Sequence, residues 1–135
     1  MRCVNILVLI ALFPSISFSA EEVDYIEHIK PVLRARCYAC HGALKQEAEL
    51  RLDTAESIRA SGIVDSGTLL ERLGAEDPAV RMPPEGEALK SIELMRFRRW
   101  ISSGAKAPEG EIPESDPSEH WAFQPIVKPA IPHST

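Results

Sequence analysis

Cysteines stand at positions 37 and 40 with a histidine directly after the second, in the run Cys37-Tyr38-Ala39-Cys40-His41. Thiols at this spacing can each add to one vinyl group of a porphyrin, forming two thioethers that pin the macrocycle edge to the backbone. The residue after the second cysteine then lies beneath the iron, where an imidazole nitrogen can bind it. The spacing predicts one covalent haem c held by Cys37 and Cys40, with His41 as proximal iron ligand. Other uses of these residues fit less well. A dithiol redox pair expects a βαβ context, and no strand pattern precedes Cys37. Structural zinc needs four ligands, and no second cysteine pair exists to complete the set. A Cys37–Cys40 disulfide leaves His41 without a role.

A proximal histidine leaves one iron position open. Met82, Met95, His28, His120 and His133 are the candidates. Met82 sits in Arg81-Met82-Pro83-Pro84, where two prolines fix the backbone just beyond it, so a thioether can be held there without a helix or strand. Met82 is therefore the expected second metal ligand beside His41. Thioether ligation raises the reduction potential, which suits an electron carrier. A core-filling methionine is the plainer reading of the same residue. Met95 adjoins the packing face of a regular helix, His28 lies nine residues before Cys37, and His120 and His133 belong to the tail. Arg81 reads equally as a partner for a haem propionate and as an ordinary surface arginine.

These residues need elements to position them. Tyr25, Ile26, Ile29, Val32 and Leu33 recur at helical steps, so a helix over 23–36 delivers the chain to Cys37, with a kink or break at Pro31. Asp53 and Glu56 stand at capping-box spacing before a short helix over 54–60 that Gly62 ends. Thr68 and Glu71 have the same spacing ahead of a helix over 68–73, with Gly74 as stop. Asp77-Pro78 opens a turn or a helix. The last helix runs from a cap at Ser91 through Leu94, Phe97, Trp100 and Ile101 on one face to Gly104. Arg96, Arg98 and Arg99 read as its solvated face, with a docking patch for an acidic partner as the sharper alternative.

Residues 1–19 read as a secretory signal: Met1-Arg2, an apolar run from Cys3 to Phe13 too short to finish a membrane span, Pro14, and small residues before Ala20. Retained, that segment would instead anchor the chain. Residues 20–107 make one small domain, and the Pro-rich stretch 108–135 reads as an extended linker or tail. Within it, His120-Trp121-Ala122-Phe123 is an apolar island that either docks back or contacts a downstream domain or a separate chain. The formal charge of −5 argues against nucleic acid and against anionic membrane surfaces. Aromatic residues make up 6% of the chain, thin for a core of this size, and a covalently held cofactor would staple it.

The order of these motifs resembles a named family. Tyr25-Ile26, Cys37 through Gly42, Leu50-Arg51-Leu52-Asp53-Thr54, Arg81-Met82-Pro83-Pro84, Arg99-Trp100-Ile101 and Gly104-Ala105 together look like the planctomycete-type cytochrome c domain. That likeness covers about residues 23–106. It implies an all-α, small class I cytochrome c-like fold around one covalent haem, the first and last helices crossing beside it. Cys37 and Cys40 would then be attachment sites, His41 the proximal ligand and Met82 the distal one. It also implies an exported, periplasmic electron carrier with a redox partner protein. The segment 62–67 looks shorter than the family's usual loop, and His120 to Pro125 resembles the connector to its next domain. The chain therefore reads as a short member or as a truncated frame. No Ser/His/Asp set, paired carboxylates or phosphate-cradling glycine loop is present, so no enzymatic role is expected. A haem-bearing sensor or interaction module with an open iron position is the alternative.

Overall fold

Asp24 starts the first helical segment, its carboxylate accepting the Glu27 N–H at 2.8 Å. The computed structural model describes residues 22–126. The leader at 1–19 and His133 lie outside them. Tyr25–Ile29 wind as a π-helical turn that passes directly into α1 (Lys30–Arg36). Pro31 is the second residue of α1, directly after the π-helical turn, and has no N–H to bond back to that turn. The break expected there is thus a change of helix type. The wider turn aligns Tyr25, Ile29 and Leu33 as one buried row and leaves Ile26 48% exposed, outside the stripe expected of it.

The other elements are short: α2 (Tyr38–His41), α3 (Ala55–Ala60), α4 (Thr68–Gly74) and α5 (Ser91–Ser102). Among the described residues no strand forms, and the fold is all-α. The helix stops are where glycine was expected. Gly104 adopts φ 98°, and the Ala105 N–H reaches Trp100 O at 2.9 Å while the Gly104 N–H reaches Ile101 O at 2.9 Å. That is the paired-bond ending that satisfies the last carbonyls of α5. The starts are each displaced by one residue. Thr54, not Asp53, caps α3, accepting the Ser57 N–H at 3.1 Å. Gly67, not Thr68, precedes α4 at φ 75°. Lys90, not Ser91, precedes α5, and Glu93 reaches back to accept the Lys90 N–H at 2.7 Å.

The first segment packs on the last helix. Tyr25 stacks on Trp100 with ring centroids 5.4 Å apart, and Phe97 meets Trp100 edge-on at 6.2 Å. Ile58, Leu69, Leu73 and Ala55 close the same core from α3 and α4. The Trp100 indole N–H is satisfied by Lys106 O at 2.7 Å, so the largest core side chain carries no orphaned donor.

Residues after Ala107 are less of a linker than their prolines suggest. Glu111, only 7% exposed at its side chain, accepts from Tyr25 Oη at 2.6 Å and Lys30 Nζ at 2.7 Å. It also accepts the Ala55 N–H at the start of α3, at 2.9 Å. Glu114 accepts the Ala43 N–H at 3.1 Å, and its own N–H donates to Asp53 Oδ2 at 2.8 Å. This strap joins the first helix, the start of α3 and the loop after His41. Farther on, Trp121 and Phe123 are 80% and 71% exposed, so the apolar island stands off the helices.

Asp53 is the buried hinge of that arrangement, 1% exposed. Burial alone would raise its carboxyl. The Arg51 fork at 2.8 and 2.7 Å and the Glu114 N–H outweigh this and hold it below the usual carboxylate range. A depressed folded value stabilises the fold above about pH 4, the ordinary Asp range, and that contribution is lost as pH falls through the folded value. Asp53→Asn is expected to cost about 2–3 kcal/mol at pH 7, a charge-assisted network reduced to neutral bonds. Urea unfolding at pH 7 and pH 3 checks this: the variant should lose less stability between the two than the parent.

Candidate functional site

The candidate site begins where α1 ends. Cys37 closes α1 and starts one more turn, with Cys40 N–H to Cys37 O at 3.1 Å and His41 N–H to Cys37 O at 2.8 Å. Residues three and four apart on a helix share a face, so both sulfurs and the imidazole leave the backbone on one side. Cys37 is half-buried against the core and Cys40 is exposed, and both thiols are free. Tyr38, inside the motif, points the other way. It is buried and donates its hydroxyl to Asp53 O at 3.1 Å, riveting the turn to the start of α3. Burial pushes the Cys37 thiol up to about 12, with neighbouring Arg36 offsetting part of the effect. A disulfide-exchanging pair depends on a low-pKa thiolate, and this environment produces the reverse.

His41 is gripped by its main chain at both ends. Its N–H is bonded to Cys37, and its carbonyl accepts the Leu52 N–H at 2.8 Å. Its ring is not gripped: Nδ1 is buried without a partner. The same nitrogen is bonded in the two other described histidines. His28 Nδ1 accepts the Asp24 N–H at 3.2 Å, and His120 Nδ1 accepts the Ala122 N–H at 3.2 Å. A fixed backbone carrying an unengaged ring, beside two free thiols, is the donor set a covalently attached haem requires. The residues present fit that group. Among the described residues no group of three or more His, Cys, Asp or Glu side chains converges as a cation site.

Gly42 explains how the turn ends. A Cβ there would lie 2.5 Å from Tyr38 O and 2.7 Å from Glu114 Oε2. The carbonyl belongs to the haem-motif turn itself and has no free movement. Gly42→Ala is expected to destabilise the chain by about 1–3 kcal/mol through overpacking and to lower the yield of haem-loaded protein, read by thermal melting and by haem absorbance per polypeptide.

Met82 lies on a different segment. Turns after α4 carry it: the Val80 and Arg81 N–H groups bond to Asp77 O at 3.0 and 2.8 Å, and the Met82 N–H bonds to Arg72 O at 2.9 Å. Asp77-Pro78 thus opens a turn, not a helix. The methionine is half-buried, ahead of a cis Met82–Pro83 bond. Its loop is joined to the cysteine turn by Arg36, the residue before Cys37, whose Nη1 donates to Glu87 O at 2.8 Å. Arg36 Nη2 also lies 4.0 Å from Glu93 Oε2 at the start of α5. Met95 is half-buried on α5 itself. Arg36, Tyr38 and the Glu111–Glu114 strap are contributors that reading the sequence does not single out. Only Tyr38 left a signal there, an aromatic ring inside a polar motif.

An all-helical chain presenting paired thiols and an unengaged imidazole on one turn has the make-up of a haem-binding c-type cytochrome. Residues 37–86 match the family described as Planctomycete cytochrome C. The match begins at Cys37 and ends four residues past Met82. No curated protein and no solved structure matches the chain.

Proposed function

We propose that this is an exported electron carrier with a single haem c, bound through Cys37 and Cys40 and ligated by His41 and Met82. The observation that carries this reading is the contrast within His41, whose backbone is held from two directions while its ring is left for another partner. When bound, the haem iron supplies a one-electron ferric/ferrous couple. The chain's own residues do the rest. Cys37 and Cys40 fix the macrocycle to the end of α1, and Tyr38 locks their turn to α3. The Arg72–Met82 backbone bond and the Arg36–Glu87 bond keep the thioether loop from drifting when the iron changes charge. Rigid ligands minimise rearrangement between oxidation states, which is what a carrier needs and what a ligand sensor avoids. The fold is then a class I cytochrome c-like arrangement, with α5 and the first helical segment as its crossed pair.

Under the same proposal the leader at 1–19 is removed on export to the periplasm. Among the described residues no helix is long and apolar enough to cross a membrane. The partner is a redox protein, not nucleic acid or a lipid surface, and no residue is assigned a catalytic step. A spectroelectrochemical titration tests the reading. A single one-electron curve, with the reduced protein inert to carbon monoxide, is expected. Rapid carbon monoxide binding by the reduced protein would contradict it in favour of a sensor with an open iron position.

A further inference from the structure

Two buried side-chain polar atoms lack a partner among the described residues, and they fall on the two segments of the proposed haem site: His41 Nδ1 and Arg81 Nε. Arg81 stands beside Met82 with its backbone held by the bond to Asp77 O, between Val80, whose carbonyl accepts from Arg72 Nη1 at 3.1 Å, and Met82, bonded to Arg72 O. Its side chain is half-buried, and its Nη2 turns back to Gly86 O at 3.3 Å. No carboxylate pairs with it among the described residues. A guanidinium fixed in place with a buried, unused N–H is a costly arrangement unless an anionic acceptor completes it.

We infer that Arg81 binds a haem propionate through its Nε–H. This rests on the proposed haem site and deepens it. A haem c brings two carboxylates with it, and one that the protein covers needs a fixed donor to remain ionised. Guanidinium suits the task because it stays charged and presents its donors in a planar fork. The Nη2 bond to Gly86 O holds that fork still, so loop, thioether and propionate grip form one unit. The consequence is a tuning effect: a cation close to the iron favours the reduced, less positive state.

Full-length, haem-loaded Arg81→Gln and Arg81→Lys proteins test this against the parent. Arg81→Gln is expected to shift the one-electron equilibrium about tenfold toward the ferric form, roughly 59 mV, while the weak far-red charge-transfer band that methionine ligation gives a ferric haem survives. Arg81→Lys, which keeps the charge, should stay within about twofold of the parent. A merely structural arginine would not produce that split. Independently, the Arg81 Nε–H resonance of the parent, assigned by its disappearance in Arg81→Lys, should move strongly between the ferric and ferrous states. An unchanged equilibrium in Arg81→Gln with the band intact overturns the inference, and so does an immobile resonance. Should Arg81→Gln lose the band, the resonance decides alone. Protein without covalent haem would instead defeat the underlying site reading.

Discussion

A Cys37→Ala/Cys40→Ala variant is expected to be exported without any covalently bound haem, a complete loss and not a graded one. Each thioether has one sulfur donor, and among the described residues no other cysteine exists to replace either. The effect should extend to the fold. The core is built from a small set of side chains around Trp100, Phe97, Ile29 and Leu33, on helices of at most a few turns. A chain of this size depends on a staple, and under the proposed function that staple is the haem. The single variants separate the two anchors. Cys40 is exposed and its loss removes an attachment point, whereas Cys37 packs against the core, so Cys37→Ala also opens a small void at the end of α1. Haem stain after denaturing electrophoresis should be absent in the double variant and reduced in both singles.

Met82→Ala carries the second large effect. If the thioether fills the sixth iron position, its removal abolishes the far-red band of the ferric protein and makes the reduced protein bind carbon monoxide. It also lowers the reduction potential, on the order of 0.1 V or more within the roughly 0.8 V that axial ligands command. The haem itself should remain attached, because Cys37, Cys40 and His41 are on another segment. That separation makes the result specific: a lost band with retained covalent haem identifies the ligand, whereas an unchanged spectrum assigns the site to another residue. Met95 on α5 is the first alternative to substitute.

The Cys37–His41 turn was legible in the sequence because it is contiguous. Five neighbouring residues carry both thiols and the imidazole, and one helical turn is enough to align them. Glycine stops at Gly62 and Gly104 were legible for the same reason, since a positive-φ residue ends a helix by local geometry. Helix starts were less so. Asp53 looked like a cap, but Arg51 and the distant Glu114 N–H draw its carboxylate inward and leave capping to Thr54. What the sequence hid is the strap. Glu111 meets Tyr25 across 86 positions, and a proline-rich, acidic stretch gives no local sign that two of its carboxylates are buried or bonded to the domain. The place of Met82 was suggested by its flanking prolines, yet the Arg36–Glu87 bond that ties its loop to the cysteine turn spans 51 positions and has no sequence signature.

Whether haem is covalently attached is read straight from the intact mass of the matured, purified protein. The expected mass is that of the polypeptide plus one haem, with the added mass surviving denaturation and disappearing in the Cys37→Ala/Cys40→Ala variant. A correctly exported protein whose mass is that of the polypeptide alone would contradict it.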